Sequence, residues 1–402
     1  MGYYCCIERF LMVTLRPHQQ RALDALSKYL KGQCIFPTGG GKTLVAIMDA
    51  VREFQKETPQ TIVVVAPRIL LAEQLCSEFL EHITNVEVMH VHSGETHHFN
   101  TTKVNEIMKW FGDNCKQHKL IFTTYHSLHR VQESGIPIDT IYFDEAHNSV
   151  QRHFFGPTEH FSNFANRSFF FTATRKTSVT VNKPGMNDRD VYGDIICRVS
   201  APELVEGGYI IPPKIQTKKF EVLKPKEISA DRDCGNVLET IDETDTKKIL
   251  VCVKTSRQLM NLMSQTDFAS QLTQRGYSYL YITAKTGAVI DGKKVNREVF
   301  FDTLNAWGRD KQKKFVVLHR SILSEGINVS ELETVIFLRN MDVIEMTQTI
   351  GRVLRRGSDT KTFGLCVVPV YSQVGIATEK ALQRVVDTVF ERGELLDSVV
   401  RK

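Results

Sequence analysis

The run Pro37-Thr38-Gly39-Gly40-Gly41-Lys42-Thr43 brings glycines, an ammonium and a hydroxyl together in one short string. Glycines let backbone amides approach an anion closely, the lysine adds a point charge, and a threonine hydroxyl suits a hard cation. The string therefore reads as a cradle for polyphosphate and its magnesium. Downstream, Asp144-Glu145-Ala146-His147 follows an apolar run. One carboxylate suits the magnesium, through water, and its neighbour suits the orientation and deprotonation of an attacking water. Far along the chain, Gln348-Thr349-Ile350-Gly351-Arg352-Val353-Leu354-Arg355 supplies two guanidiniums, the group that stabilises charge on a transferring phosphoryl. A phosphate site built from one half and completed by arginines from another makes nucleotide binding a clamp between two bodies.

Such groups need elements to position them. A strand ending at Phe36, a glycine-rich turn and a helix over 41–55 give the context of a phosphate loop, with the positive end of the helix adding to the attraction. Phe36 stands where the usual pattern has its first glycine. Asp144 emerges at the carboxyl end of a strand over 140–143, where open α/β sheets bind ligands. From Leu15 onward, short apolar runs alternate with helical stretches, the grammar of buried parallel strands. Strands are predicted at 34–36, 61–66, 86–90, 120–123, 140–143 and 168–171, with helices at 67–80 and 103–111. The pattern weakens around Pro212-Pro213 and Pro225, then resumes with strands at 249–253, 279–282, 315–318, 335–338 and 365–368 and helices from Ser256 and over 299–307. The fold class is α/β, two tandem domains, each a mostly parallel sheet flanked by helices. The expected divisions are 1–14 (N-terminal extension), 15–207 (first domain), 208–240 (linker), 241–372 (second domain) and 373–402 (helical tail, with the helix over 378–399).

A chain of 402 residues with 42% hydrophobic content is long enough for two packed domains. A net charge of +5 permits nucleic-acid binding without requiring it. Nine cysteines, an odd number without Cys-x-x-Cys pairs, fit a reduced intracellular compartment, cytoplasm or nucleus, and argue against disulfides and zinc. The apolar start over 3–13 is too short to span a bilayer, so a soluble protein is expected. His90, His92, His97 and His98 cluster but lack an ordered acidic or cysteine partner, which reads against a metal. The basic run Arg309, Lys311, Lys313, Lys314 reads as a solvated loop.

Together these strings resemble superfamily 2 helicases of the DEAD/DEAH-box type, in the branch of type III restriction motor subunits and excision-repair helicases. The resemblance covers Leu15 to about Pro369. It implies two RecA-like domains, use of ATP with Mg²⁺, and a nucleic-acid partner, DNA favoured over RNA because the segments at 123–128 and 201–209 look like the restriction-type branch. Within it, Leu15-Arg16-Pro17-His18-Gln19 is similar to the adenine-recognising segment, so Arg16 and Gln19 join Thr38, Gly39, Gly40, Gly41, Lys42 and Thr43 in holding the nucleotide. Thr43 and Asp144 would hold the metal. Pro67 and Arg68, Thr124, Tyr125 and Ser127, and Ser324 of the second half would lie near the strand. Phe171-Thr172-Ala173-Thr174-Arg175 resembles the segment coupling the ATP site to that track, which assigns coupling to Thr172, Thr174, Arg175 and His147. Leu323 to Val329 resembles a further motif, giving Gly326 and Asn328 nucleotide roles, although the family more often has Asp at the position of Asn328. Gln348, Arg352 and Arg355 match the arginine-finger motif, so they join Lys42, Asp144 and Glu145 as catalytic groups.

The chain ends soon after its second body, which leads us to expect a core motor without nuclease or large accessory modules. The alternatives are an RNA helicase, a translocase that does not unwind, a scaffold that binds nucleic acid without hydrolysis, and a phosphotransferase that shares only the phosphate loop. Intact Lys42, Asp144, Glu145, Arg352 and Arg355 argue against the scaffold. The second half argues against the phosphotransferase.

Overall fold

A computed structural model describes residues 14–180, 183–219, 229–283, 286–320, 332–354, 363–370 and 373–400. The chain divides into two compact units, Met1–Val199 with Asp397–Lys402, and Ser200–Leu396.

The first unit runs α1 (Pro17–Lys28), β1 (Lys31–Ile35), α2 (Lys42–Glu53), β2 (Thr61–Ala66), α3 (Ile69–Leu80), β3 (Val86–Val91), β4 (Phe99–Asn100), α4 (Val104–Asp113), β5 (His118–Thr124), α5 (Leu128–Ser134), β6 (Thr140–Phe143), α6 (Arg152–Phe164), β7 (Arg167–Thr172), β8 (Lys176–Ser178), α7 (Arg189–Tyr192) and β9 (Ile195–Arg198). Its main sheet has the order β4-β3-β5-β2-β6-β7-β1-β9 and is parallel throughout. Strands covered on both faces need apolar residues on both, and β2, β6 and β7 are buried along their whole length. Val63, Val65, Ile121, Phe143 and Phe170 lie in the resulting core. The strand order sets the carboxyl ends of β6, β7 and β1 side by side, so segments far apart in sequence meet at one edge.

The second unit runs α8 (Ala201–Glu206), β10 (Pro213–Lys219), α9 (Ser229–Thr244), β11 (Lys248–Cys252), α10 (Ser256–Ser264), α11 (Phe268–Gln274), β12 (Ser278–Thr283), β13 (Gly287–Ile290), β14 (Lys293–Val295), α12 (Arg297–Arg309), β15 (Phe315–His319), β16 (Thr334–Phe337), α13 (Val343–Val353), β17 (Gly364–Val370) and α14 (Gln373–Val385), followed by a π-helical turn, Val386–Glu391. Its sheet, β10-β17-β16-β11-β15-β12-β13-β14, is parallel from β10 to β12 and closes with an antiparallel hairpin. Asp291 and Gly292 make the hairpin turn with φ of +45° and +79°, the conformation that favours Asp-Gly between two antiparallel strands.

Two stretches differ from expectation. Residues 208–240, read as a linker, contain β10, which pairs with β17 from Pro213↔Gly364 to Lys219↔Val370, and most of α9. An edge strand is not obliged to be apolar on both faces, and the lysines of β10 hid its periodicity. The tail, read as helical over 378–399, leaves the helix after Glu391; Gly393, at φ +65°, turns the chain, and β18 (Ser398–Val400) pairs in parallel with β8 of the first unit. Among the described residues, no helix is long and apolar enough to cross a membrane.

Candidate nucleotide site

The phosphate loop joins β1 to α2. Gly39 and Gly41 have φ of +89° and +78°, where a side chain strains the backbone, and a Cβ on Gly41 would lie 2.2 Å from Nε2 of Gln19. Gln19 explains that closeness. It sits in the first turn of α1, its Oε1 accepts the Arg16 amide at 2.9 Å, and its Nε2 donates to the Gly41 carbonyl at 3.2 Å. Beside it, Nε2 of His18 donates to the Gly40 carbonyl at 2.9 Å. Both side chains are buried. Gln19, expected to read a base edge, therefore spends its amide on the loop and on the start of its own helix, and the loop is braced from α1. The bracing by His18 escaped sequence reading; its place next to Gln19 was the available signal.

Opposite the loop, Asp144 and Glu145 follow β6. Nζ of Lys42 lies 3.4 Å from Oδ1 of Asp144 and pairs more closely with Oε1 of Glu145. Burial works against the Lys42 charge, but the Asp144 and Glu145 carboxylates outweigh it and raise the pKa of the ammonium. Burial pushes Asp144 up to about 6, with Lys42 pulling it back and Glu145 pushing it further. One ammonium is shared by two carboxylates and sits nearer Glu145, so one negative charge remains. A hard divalent cation with oxygen ligands answers that imbalance. Asp144 and the Thr43 hydroxyl, in the first turn of α2, are the groups that fit it.

Glu145 adopts φ +45°, a left-handed conformation that is costly for a residue with a side chain and characteristic of functional turns. The turn is fixed around it. The Tyr125 hydroxyl donates to the Asp144 carbonyl at 2.9 Å, and Asn148 Nδ2 donates to the Glu145 carbonyl at 2.9 Å. Nδ1 of His147 donates to Oγ1 of Thr172 at 3.0 Å and faces Oε2 of Glu145 at 3.5 Å, while its Nε2 accepts from Asn148. Thr172 in turn donates to the Thr174 carbonyl at 2.9 Å. These bonds fix the tautomer of His147 and tie Glu145 to the end of β7.

The remaining expected residues are distributed as follows. Thr38 and Gly40 complete the loop. Pro67 and Arg68 follow β2, with Arg68 exposed, and Ser127 stands immediately before α5, near the end of the neighbouring β5. Thr124 and Tyr125 are buried, and the ring of Tyr125 packs against Phe143 and Phe154, so its side chain supports the Asp144 turn and is not a surface contact. Gln348 and Arg352 lie four residues apart on α13 of the second unit, Arg352 in the last turn and buried. Ser324, Gly326, Asn328 and Arg355 lie outside the described residues.

With that geometry in hand, the comparisons with known proteins converge. Residues 12–177 match the family model described as the res subunit of type III restriction enzymes, and 233–357 match the helicase conserved C-terminal domain. The chain is a superfamily 2 helicase that resembles Res subunits. Among solved structures, this helicase chain is similar to an ATP-dependent type ISP restriction-modification enzyme, LlaBIII bound to DNA, with 17% identity and a TM-score of 0.74 over 96% of this chain and 31% of that one. A fragment of a putative HsdR subunit of a type I restriction enzyme from Vibrio vulnificus gives 14%, 0.62, 96% and 68%. Dbp5 of S. cerevisiae bound to RNA and ADP BeF3 gives 16%, 0.61, 98% and 92%. At these identities the likeness is one of fold, two RecA-like domains. The chain spans about a third of the length of the LlaBIII enzyme. No curated protein matches the sequence.

Proposed function

We propose that this chain is an ATP-hydrolysing motor on nucleic acid, with DNA as its preferred track, and that Lys42, Thr43, Asp144 and Glu145 form its hydrolytic centre. The observation that carries the reading is the shared ammonium of Lys42, poised between two carboxylates at the mouth of a glycine loop braced from α1. An incoming polyphosphate competes for that ammonium. As Lys42 swings to phosphate oxygens, Glu145 is freed to accept a proton from water, its backbone turn held by Asn148, which also donates to His147. Mg²⁺, when bound by Thr43 and Asp144, would neutralise phosphate charge. The amides of the loop and the start of α2 supply the rest of the anion's environment. Arg352, and Arg355 beside it in sequence, take the finger role from the second unit, which makes closure of the two units a condition of fast hydrolysis.

Thr172, Thr174 and Arg175 relay the state of Glu145 toward the track, for which the exposed Arg68 and the half-buried Pro67 and Ser127 are the contacts we assign in the first unit, with Thr124 contributing through its backbone. Ser324 adds a contact from the second unit, Gly326 and Asn328 serve the nucleotide, and Gln348 joins the finger motif. DNA is favoured by the match of the first unit to restriction subunits. RNA is the second reading, supported by the likeness to Dbp5 along nearly all of that chain. ATP turnover measured with single-stranded DNA, duplex DNA and RNA separates them: the largest stimulation is expected with DNA, and equal or greater stimulation by RNA would reverse the preference.

A further inference from the structure

The last strand of the chain does not end free. Arg175, which closes the segment Thr172-Ala173-Thr174-Arg175, is gripped on two sides by residues from the C-terminus. Its Nε donates to Oδ1 of Asp397 at 3.2 Å and its terminal nitrogen to Oδ2 at 2.5 Å, a bidentate fork that fixes the guanidinium plane. Its carbonyl accepts the Ser398 amide at 2.9 Å. The ladder then continues, Ser398↔Lys176, Val399↔Thr177 and Val400↔Ser178, and Val400 packs against the core of the first unit. Both partners of the ion pair are largely shielded, with 18% and 24% of their side chains exposed, so the pair is screened less than a surface bridge.

We infer that Asp397 is a positioning residue for the coupling segment, acting on Glu145 through Arg175. A line of contacts supports it: Asp397 to Arg175, the peptide chain from Arg175 to Thr174, the Thr174 carbonyl to the Thr172 hydroxyl, Thr172 to His147, and His147 through Asn148 to the Glu145 carbonyl. The non-covalent links are polar, at 2.5–3.3 Å, and Thr172 and Thr174 are buried, so displacement at one end is passed along and not dissipated in solvent. The turn 173–175 has two fixed points, the Thr172 hydroxyl and Asp397 with Ser398. Removing the second leaves the turn held at the Thr172 hydroxyl and, beyond Arg175, only through the bonds of Lys176 and Ser178 to Met186 and Asn187. Glu391, the last helical residue before the strand, belongs to the second unit, and 392–396 join it to Asp397, so the chain itself links the end of one unit to the coupling segment of the other. No motif marks Asp397 in the sequence.

The inference rests on the proposed hydrolytic role of Glu145, and its test has two arms so that the two ideas fail separately. In the first, hydrogen exchange is followed by mass spectrometry in the full chain and in Asp397→Asn. Faster exchange is expected at 173–178 and, through the contact line, at 145–148, while Asp397→Glu restores much of the protection. Unchanged exchange at 145–148 in Asp397→Asn overturns the inference, whether or not the protein turns over ATP. In the second arm, Asp397→Asn should lower nucleic-acid-stimulated kcat severalfold with nucleotide KM unchanged. If Asp397 acts through Arg175, the double variant with Arg175→Gln should be no worse than Arg175→Gln alone. Additive losses would mean that Asp397 acts elsewhere and would refute the relay. A wild-type protein without stimulated turnover counts against the functional reading and leaves the exchange result to decide the relay.

Discussion

Two buried ionic clusters lie in the first unit, and they are built on opposite terms. Away from the phosphate loop, Asp49 accepts from the Tyr142 hydroxyl at 2.6 Å, from Arg167 at 3.0 and 3.1 Å, and from Arg52; Arg167 also meets Glu53 at 3.1 Å, which Lys56 meets at 2.6 Å. Two carboxylates there face three cations and a phenol, and Arg167 further donates to the Leu26 carbonyl, closing α1 against β7. At the loop, two carboxylates share Lys42, Glu145 holds a left-handed conformation, and Asp144 is pushed up to about 6, first by burial. The saturated cluster fixes structure, and the under-compensated one is ready to exchange partners. Charge balance, more than burial, separates the architectural site from the chemical one.

The sharpest way to break this contrast is at Asp49. Asp49→Ala strands Arg167 and Tyr142 in the core and should cost about 3–5 kcal/mol of stability, read by denaturant unfolding. Little loss would mean that the cluster is not the anchor of the unit. A comparably large effect, on rate and not on stability, is expected in the second unit. Arg352→Ala should keep nucleotide affinity and lower turnover by ~10³-fold, checked by binding and steady-state assays on the same preparation. Gly41→Ala comes next, since it forces a Cβ into Gln19 at a positive φ; about 1–3 kcal/mol of destabilisation is expected with weakened nucleotide binding. By contrast, Asp144→Asn relieves the surplus charge and should leave the melting temperature unchanged or slightly higher while abolishing turnover. A marked drop in stability would place Asp144 with Asp49 as an architectural group.

The smallest expected effect concerns two histidines kept neutral, one in each unit. Burial, then His92 and His98, lowers His90 to about 3, and its Nδ1 accepts from Nε2 of His92 at 3.0 Å. His319 is lowered well below its ordinary value by burial and then by Arg339. A folded-state pKa below the unfolded one means that the unfolded chain binds more protons as pH falls below about 6.5, so stability declines from there downward and is flat above it. Melting followed from pH 7.5 to 4.5 should show this, with a shallower slope in His90→Phe and in His319→Phe. Slopes identical to wild type would remove both groups from the acid response.

Much of this was legible because it is local. The strands at 61–66 and 140–143 are Thr61–Ala66 and Thr140–Phe143, since uninterrupted β-branched and aromatic runs suit a strand covered on both faces. The loop and the carboxylate pair face each other because parallel topology delivers carboxyl ends to one edge. Other features escaped, as the bracing by His18 did. β10 was lost to its lysines, although the hairpin at Asp291-Gly292 could have been found from its turn dipeptide. Tyr125 was placed on the track, but its ring belongs to the core, since a motif gives a position and not the direction of a side chain. Asp397 was beyond reach because the partner of Arg175 is set by a long-range strand pairing that leaves no local pattern.

The central claim is that Glu145 activates water at a site where Lys42 holds the nucleotide. Nucleotide affinity and single-turnover ATP hydrolysis, measured together for Glu145→Gln, test it most directly. The account predicts affinity within a few fold of wild type and hydrolysis slowed by about 10²–10⁴-fold. Hydrolysis at the wild-type rate in Glu145→Gln would contradict it.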